Sequence, residues 1–266
     1  MLEDAGVYST SLVNGATGKL APETVDATAN AGGDALYTVA DQQRMSRATN
    51  YFAWQGRLVK REIGQRVIEV GCGLGNFTGM LLDREAVVAV DQEESCIKLL
   101  RQRYSDRENL QVLKFDVADE TFPSLAFFRA ESCVCLNVLE HVRDDFAALR
   151  NMSSALIAGG VIVLIVPAFQ SLYGPIDRNL GHHRRYTRAS MARLAASAGL
   201  QVKKARYMNA VGFFGWWANE RIFKKEAQSE RQIEAFDQYV VPIQSKLEEW
   251  IAPPFGQSLF LVLQKP

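Results

Sequence analysis

The chain has 266 residues, 48% of them hydrophobic, with 30 basic and 30 acidic side chains. That length holds one large α/β domain with a full core plus an insert or tail, and zero formal net charge argues against a nucleic-acid-binding surface spread over the whole protein. The longest apolar run, Val161–Val166, is too short for a transmembrane helix, and the opening MLEDAGVYST has neither the basic nor the apolar region of a signal peptide.

Residues 1–40 are rich in Ala, Thr, Gly, Asn and Asp and read as a flexible leader. The domain then runs over 41–266. Within Asp41–Lys60, Met45, Tyr51, Phe52, Trp54 and Leu58 recur at helical spacing, which predicts a helix across the edge of a pocket. From Arg66 onward strands and helices alternate, the pattern of a doubly wound, mostly parallel sheet. Strands are predicted at 66–70, 86–91, 110–115, 132–136, 161–166, 201–207 and 257–264, seven in all. Helices are predicted near 75–84, 93–104, 144–158 and 188–198, the third ended by Gly159-Gly160 and the fourth by Gly199. Residues 210–252 are read as a helical insert before the last strand. The four cysteines show no C-x-x-C spacing, and the expectation is reduced, buried thiols in a cytoplasmic protein.

The chemistry concentrates at the strand ends, where doubly wound sheets bind ligands. The first strand breaks into Gly71, Gly73 and Gly75 on alternate residues, with Glu69 two positions before them. Glycines between a strand and a helix let backbone N–H groups approach a ligand closely. A dinucleotide site wants G-x-G-x-x-G, whereas Asn76 stands where its last glycine would fall. An acid at Glu69 suits a cationic amino group better than a pyrophosphate. Asp91 closes the second strand about 20 residues on, a place from which a carboxylate accepts from ribose hydroxyls.

E-x-G-x-G-x-G followed by an acid closing the second strand resembles the class I S-adenosyl-L-methionine (SAM)-dependent methyltransferases. The resemblance implies a seven-stranded Rossmann-like sheet and SAM as cofactor. Glu69, Gly71, Cys72 and Gly73 would hold its methionine part, and Asp91 with Gln92 its ribose. Asp116 and Val117 would meet the adenine, Asn137 and Val138 would lie beneath the methyl, and Tyr51 or Trp54 would contact the ligand or only cover the core. The strand-four motif LNVLEHV, Leu136–Val142, resembles the small-molecule and lipid-precursor enzymes of the family. Some relatives use E-x-x-E-H there for a metal. With Asn137 at the first position, only Glu140-His141 match, and no metal is expected. His141 is a candidate for the substrate, or a residue that bonds backbone.

The loop LYGPIDRNLGHHRRYTR, Leu172–Arg188, carries the remaining candidates. His182 or His183 suits a general base near neutral pH, Tyr186 stands beside them, and the arginines suit a phosphate or carboxylate. The alternative is a loop whose arginines pair with Asp177 and surface acids. In AVGFFGWWANERIF, Ala210–Phe223, the aromatics Phe213, Phe214, Trp216 and Trp217 fit core packing, a substrate lid or a membrane-surface helix. The expected acceptor is therefore a small molecule, lipid-like or bearing an anionic head, methylated at oxygen more readily than at nitrogen or carbon. Two other readings are carried: a methyltransferase-fold protein that binds SAM without turnover, and an NAD(P)-dependent reductase. The reductase lacks a Tyr-x-x-x-Lys pair.

Overall fold

A computed structural model describes residues 39–223 and 229–266. The leader assigned to 1–40 lies, but for its last two residues, outside them, as does 224–228 of the insert. Seven strands form one sheet: β1 (Arg66–Val70), β2 (Ala86–Asp91), β3 (Leu110–Lys114), β4 (Ala130–Leu136), β5 (Leu156–Pro167), β6 (Gln201–Met208) and β7 (Ser258–Gln264). Their order is β3-β2-β1-β4-β5-β7-β6. The first five run parallel, and β7 is antiparallel to both β5 and β6.

Alternation along each strand divides the core in two. Ile68, Val70, Cys133, Cys135, Ile162, Leu164 and Leu261 join one buried cluster, which is completed by α4 (Asp145–Ala155) and α6 (Arg188–Ser197). Val67, Val134, Val163, Ile165, Phe260 and Val262 join the other, with Trp54, Leu58 and Val59 of α2 (Thr49–Lys60). A sheet covered on both faces needs apolar residues at every position, which is why β5 and β7 read as continuous apolar runs.

Three helices differ from the sequence reading, and β5 begins at Leu156 rather than at 161. The helix expected at 41–60 is two, α1 (Val39–Met45) and α2, separated by a turn at Ser46-Arg47. The helix expected at 75–84 is only the 3₁₀ turn Thr78–Met80. Gly79 at its centre disfavours an α-helix, and few residues remain before β2 begins at Ala86. The helix over 144–158 ends at Ala155, because Leu156 already pairs with Ala130 of β4. Gly159 and Gly160 lie inside β5, bonded to Lys265 through Gly159 N–H (3.1 Å) and Lys265 N–H (2.9 Å). Asp144 caps α4 by accepting from Ala147 N–H at 2.8 Å.

The insert contains α7 (Ala210–Arg221), α8 (Glu230–Ala235), a π-helical turn Phe236–Val240 and α9 (Val241–Trp250). Acids distant in sequence fasten it to the domain. The residue before α2, Ala48, gives no side-chain cap; Asp237 supplies one, accepting from Asn50 N–H (3.0 Å) and Tyr51 N–H (2.8 Å). Glu248 accepts from Asn209 and Ala210 N–H at the start of α7, both at 2.9 Å. Such bonds satisfy donors that a helix start leaves open. Among the described residues, no helix is long and apolar enough to cross a membrane.

Candidate functional site

The carboxyl ends of β1, β2 and β4 lie side by side in register, with Val70 opposite both Val90 and Cys135. The loop after β1 turns through φ of +73°, +50° and +79° at Gly71, Gly73 and Gly75, values open to glycine and costly for other residues. A Cβ on Gly71 would strike the Val138 side chain, and one on Gly73 the amide of Gln42. Gln42, on α1, accepts from Leu74 N–H (2.9 Å) and takes a bond from Asn76 Nδ2 on its carbonyl (2.9 Å), so α1 lies across the glycine loop.

Asp91 ties the loop to β2. Its Oδ2 accepts from Gly73 N–H (2.8 Å) and its Oδ1 from Glu93 N–H (3.0 Å), which leaves each oxygen a further lone pair. Gln92 beside it is exposed. Beneath the loop, Glu69 is 3% exposed, and its Oε2 meets no hydrogen-bond partner among the described residues. Burial pushes this carboxyl up to about 8, a nearby Thr78 hydroxyl lowers it somewhat and the Asp91 charge adds to the rise. Burial likewise raises the Cys72 thiol, which packs against α3 (Glu94–Arg103).

Of the other strand-end residues, Asp116 is exposed and closes a turn by accepting from Ala118 N–H (2.8 Å). Val117 is buried in the core. Asn137 is exposed at φ +53°, a left-handed conformation that asparagine tolerates. Tyr51 sits further along the same edge, where its hydroxyl is 3.4 Å from Ser258 Oγ, opposite Pro167 of β5. It joins α2 to the end of β7, with its backbone held by Asp237.

A second group gathers just past β4. Glu140 and His141 stand on the 3₁₀ turn Leu139–His141. The loop after β5 docks on this turn through His183 N–H, which donates to Glu140 O at 2.8 Å. That brings His182 against His141, ring centroids 4.7 Å apart and nearly perpendicular at 81°. His182 Nδ1 pairs with Asp177 Oδ1 at 2.7 Å. Asp177 is fully buried in the middle of the short helix α5 (Pro175–Asn179) and also binds Arg185 Nε at 2.9 Å. Burial alone would raise the Asp177 carboxyl; the His182 hydrogen bond and the Arg185 charge outweigh it and hold the group below its usual range. Burial, with His182 and His183 nearby, lowers His141 to about 3, so its ring is neutral at pH 7. Burial raises Glu140 to about 7. His183 is exposed.

Two expectations for this loop are corrected. The Tyr186 hydroxyl is within the fold, donating to Leu139 O (3.3 Å) and Asp145 Oδ2 (3.0 Å), and burial raises its pKa; it pins the loop to β4 and α4 rather than facing a substrate. The arginines are mostly engaged internally. Arg184 pairs with Asp145 at 2.8 Å, and Arg185 lies 5% exposed between Asp177 and the ring of Trp216, 4.6 Å from its centroid. Trp216 is accordingly core, packed with Leu172 and Ile176. Phe214 and Trp217 remain exposed at 58% and 45%, and Phe213 stands edge-on to Phe169 and Phe255.

Sequence reasoning passed over Gln42, whose lone polar side chain gives no signal, and did not place Asp177 or Glu140 in the site. The five-residue spacing from Asp177 to His182 spans a turn that only the structure defines.

Comparison with known proteins bears on the family and the fold. Residues 68–162 match the family model described as a methyltransferase domain. The chain is similar to a ubiquinone biosynthesis O-methyltransferase of Idiomarina loihiensis, 27% identical over 52% of this chain and 62% of that protein. It is also similar to human glycine N-methyltransferase, 28% identical over 45% of this chain and 46% of that protein. The chain thus spans about half the length of these curated relatives. A solved SAM-dependent methyltransferase of Archaeoglobus fulgidus shares the fold, with a TM-score of 0.52 at 19% identity over 80% of this chain and 94% of that one.

Proposed function

We propose, from the match of residues 68–162 to the methyltransferase-domain model, that the chain is a class I SAM-dependent methyltransferase and transfers a methyl group from SAM to an oxygen of a small-molecule acceptor. One observation carries the cofactor part: the buried, unpartnered Glu69 Oε2 beneath three positive-φ glycines, beside an Asp91 already tied to the loop. A carboxylate in that position is satisfied by an ammonium such as the α-amino group of SAM. Gly71, Cys72 and Gly73 would line the methionine part. Asp91 would accept from the ribose, with Gln92 beside it, Asp116 and Val117 would border the adenine, and Asn137 and Val138 would underlie the sulfonium. Tyr51 would form the wall of the pocket on the β5–β7 side.

SAM supplies an activated methyl; the chain's task is to orient the acceptor and manage its proton. SAM, when bound, would supply the methyl to the acceptor oxygen and leave as S-adenosylhomocysteine, the carbon–sulfur electron pair staying on sulfur. The hydroxyl proton leaves to a base. His182 is the better placed of the two loop histidines: Asp177 fixes its Nδ1–H, which directs Nε2 as the acceptor. His183 lacks such an orienting acid in the hydrogen bonds described for it. His141 lies against His182 and is neutral.

An apolar wall from Phe213, Phe214 and Trp217 of the insert suits an amphipathic, lipid-like acceptor. The anionic head loses support, since Arg184 and Arg185 are paired within the protein. The test is transfer of radiolabelled methyl from SAM into a metabolite extract, with mass spectrometry of the labelled product. A labelled O-methyl small molecule is the expected result. SAM binding without transfer to any hydroxyl compound would overturn the oxygen assignment.

A further inference from the structure

The helical run that closes the insert is built inside out. α8, the π-helical turn and α9 follow one another without a break from Glu230 to Trp250. The buried face of this run is mostly polar: Asp237, Gln244, Ser245 and Glu248 lie there beside Val241. These groups hold the run to the domain by hydrogen bonds. Asp237 takes the N–H groups of Asn50 and Tyr51, and Arg57 Nη2 donates to Ser245 Oγ (3.3 Å). Gln244 Nε2 donates to Asn209 Oδ1 (3.1 Å), and Glu248 takes the N–H groups at the start of α7. The outward face carries Tyr239, Ile243, Leu247, Trp250 and Ile251, all between 61% and 89% exposed. Their spacing sets the first four in one line along the helix. A helix on a domain surrounded by water ordinarily does the reverse and turns its apolar stripe inward. Apolar groups exposed singly are normal, but a contiguous line of them marks a contact surface.

The charges beside the stripe are one-sided. Glu230 and Glu234 pair with Arg47, and Glu249 pairs with Arg57 and Arg61, so bases of the domain neutralise these acids. Asp237 and Glu248 are buried. Lys246, exposed within the stripe, and Arg231, exposed earlier on the same run, pair with no acid among the described residues. The face therefore offers a partner apolar area, an aromatic ring toward each end and free positive charge. A bilayer surface with anionic headgroups accepts all three, and Trp and Tyr settle at the headgroup level. A second copy suits the face less well. Turned about a two-fold axis on the same stripe, it sets Lys246 near its own counterpart, with no acid on the face to pair them.

We propose that the outward face of residues 230–251 docks on an anionic lipid bilayer. The helix lies along the membrane plane, with Tyr239, Ile243, Leu247, Trp250 and Ile251 in the interface and Arg231 and Lys246 against lipid phosphates. The placement suits the candidate site. A short connection leads from Ile251 to Ser258, the first residue of β7, which stands opposite Pro167 at the carboxyl end of β5. On that connection Phe255 packs against the exposed Phe214 of α7 (5.6 Å). The end of the stripe thus adjoins the apolar wall assigned to the acceptor, and a chain docked this way would take a lipid-like acceptor from the bilayer. That role rests on the methyltransferase reading; the docking itself does not.

The full chain is sedimented with vesicles of equal parts phosphatidylglycerol and phosphatidylcholine, and with vesicles of phosphatidylcholine alone. The expected result is saturable binding to the anionic vesicles, stronger than to the neutral ones and weakened by added salt. Leu247→Ala and Trp250→Ala fall at exposed positions, so denaturation midpoints should hold while each weakens binding by roughly tenfold. Lys246→Gln should weaken binding to anionic vesicles by about fivefold and leave binding to neutral ones unchanged. Absence of binding to the anionic vesicles by the unaltered chain overturns the proposal. So does binding that is unchanged when Leu247→Ala and Trp250→Ala are combined. A dimer in solution that the combined variant dissolves, with vesicles unbound, overturns it in favour of a second copy of the chain. Calorimetric SAM binding without vesicles decides the cofactor reading separately: vesicles bound with SAM unbound removes only the methyltransferase role, and SAM bound with vesicles unbound removes only the docking.

Discussion

With Glu69 holding the SAM ammonium as proposed, SAM binding should release a proton. In the free protein burial holds its carboxyl at about 8, so at pH 7 about nine-tenths of the molecules carry the proton there. Pairing with the SAM ammonium requires the carboxylate, and an opposite charge in contact that lowers the carboxyl by about 3 units or more, the upper end of the usual range, leaves it almost fully ionised in the complex at pH 6 and above. Binding at pH 7 should therefore release close to one proton. The sign follows: SAM affinity rises with pH below the free-state value, by about ninefold between pH 6 and pH 7, equivalent to about 1.3 kcal/mol. The rise should flatten near pH 8, where Glu69 is already half ionised and the SAM amino group begins to lose its own proton. The assay is isothermal calorimetry at pH 6, 6.5 and 7 in buffers of different ionisation enthalpy, which counts protons directly. Glu69→Gln cannot ionise, so its affinity should be lower and nearly independent of pH over this range. The same substitution should stabilise the free protein at pH 7.5. A raised folded pKa means that the acid's contribution is most favourable below its unfolded value of about 4.5 and is lost as pH rises toward 8. Affinity that stays level from pH 6 to pH 7 in the unaltered chain, with no proton released, would refute the pairing of Glu69 with the cofactor's amino group.

Asp91→Ala removes an acceptor of Gly73 N–H and the proposed ribose acceptor, and should weaken SAM by roughly 1–3 kcal/mol in calorimetry. Asp237→Ala leaves Asn50 and Tyr51 N–H uncapped at the start of α2; chemical denaturation should show a loss of about 1–2 kcal/mol. Trp216→Ala empties a buried site and strips the face from Arg185, with an expected cost of about 3–5 kcal/mol. Trp217→Ala, at a half-exposed position, should leave denaturation nearly unchanged and raise the acceptor's KM instead, and equal destabilisation by the two would contradict this division. Tyr186→Phe should lower stability by about 1 kcal/mol while kcat at saturating substrate stays within twofold.

The sequence by itself determined the sheet and the edge that carries the candidate site. Parallel strands buried on both faces must be apolar throughout, and the glycines after β1 and the acid ending β2 mark positions where backbone conformation and charge leave little choice. Those signals are local, so Glu69, the glycine loop and Asp91 were legible in order along the chain. Gly79 was a local signal too, and it explains why the stretch after the loop makes only a 3₁₀ turn. What only the tertiary structure decided are relations between residues far apart. Arg184 and Arg185 look like anion binders in the sequence, but Asp145 and Asp177 take them. Tyr186 looks available for chemistry, but the docking of its loop on β4 encloses its hydroxyl. Asp237 caps a helix whose own sequence offers no cap, and His182 meets Glu140 and His141 only because the loop after β5 folds back onto the turn after β4. Pattern along a chain reports what one element must bury; which side chain satisfies which buried charge depends on elements that packing alone brings together.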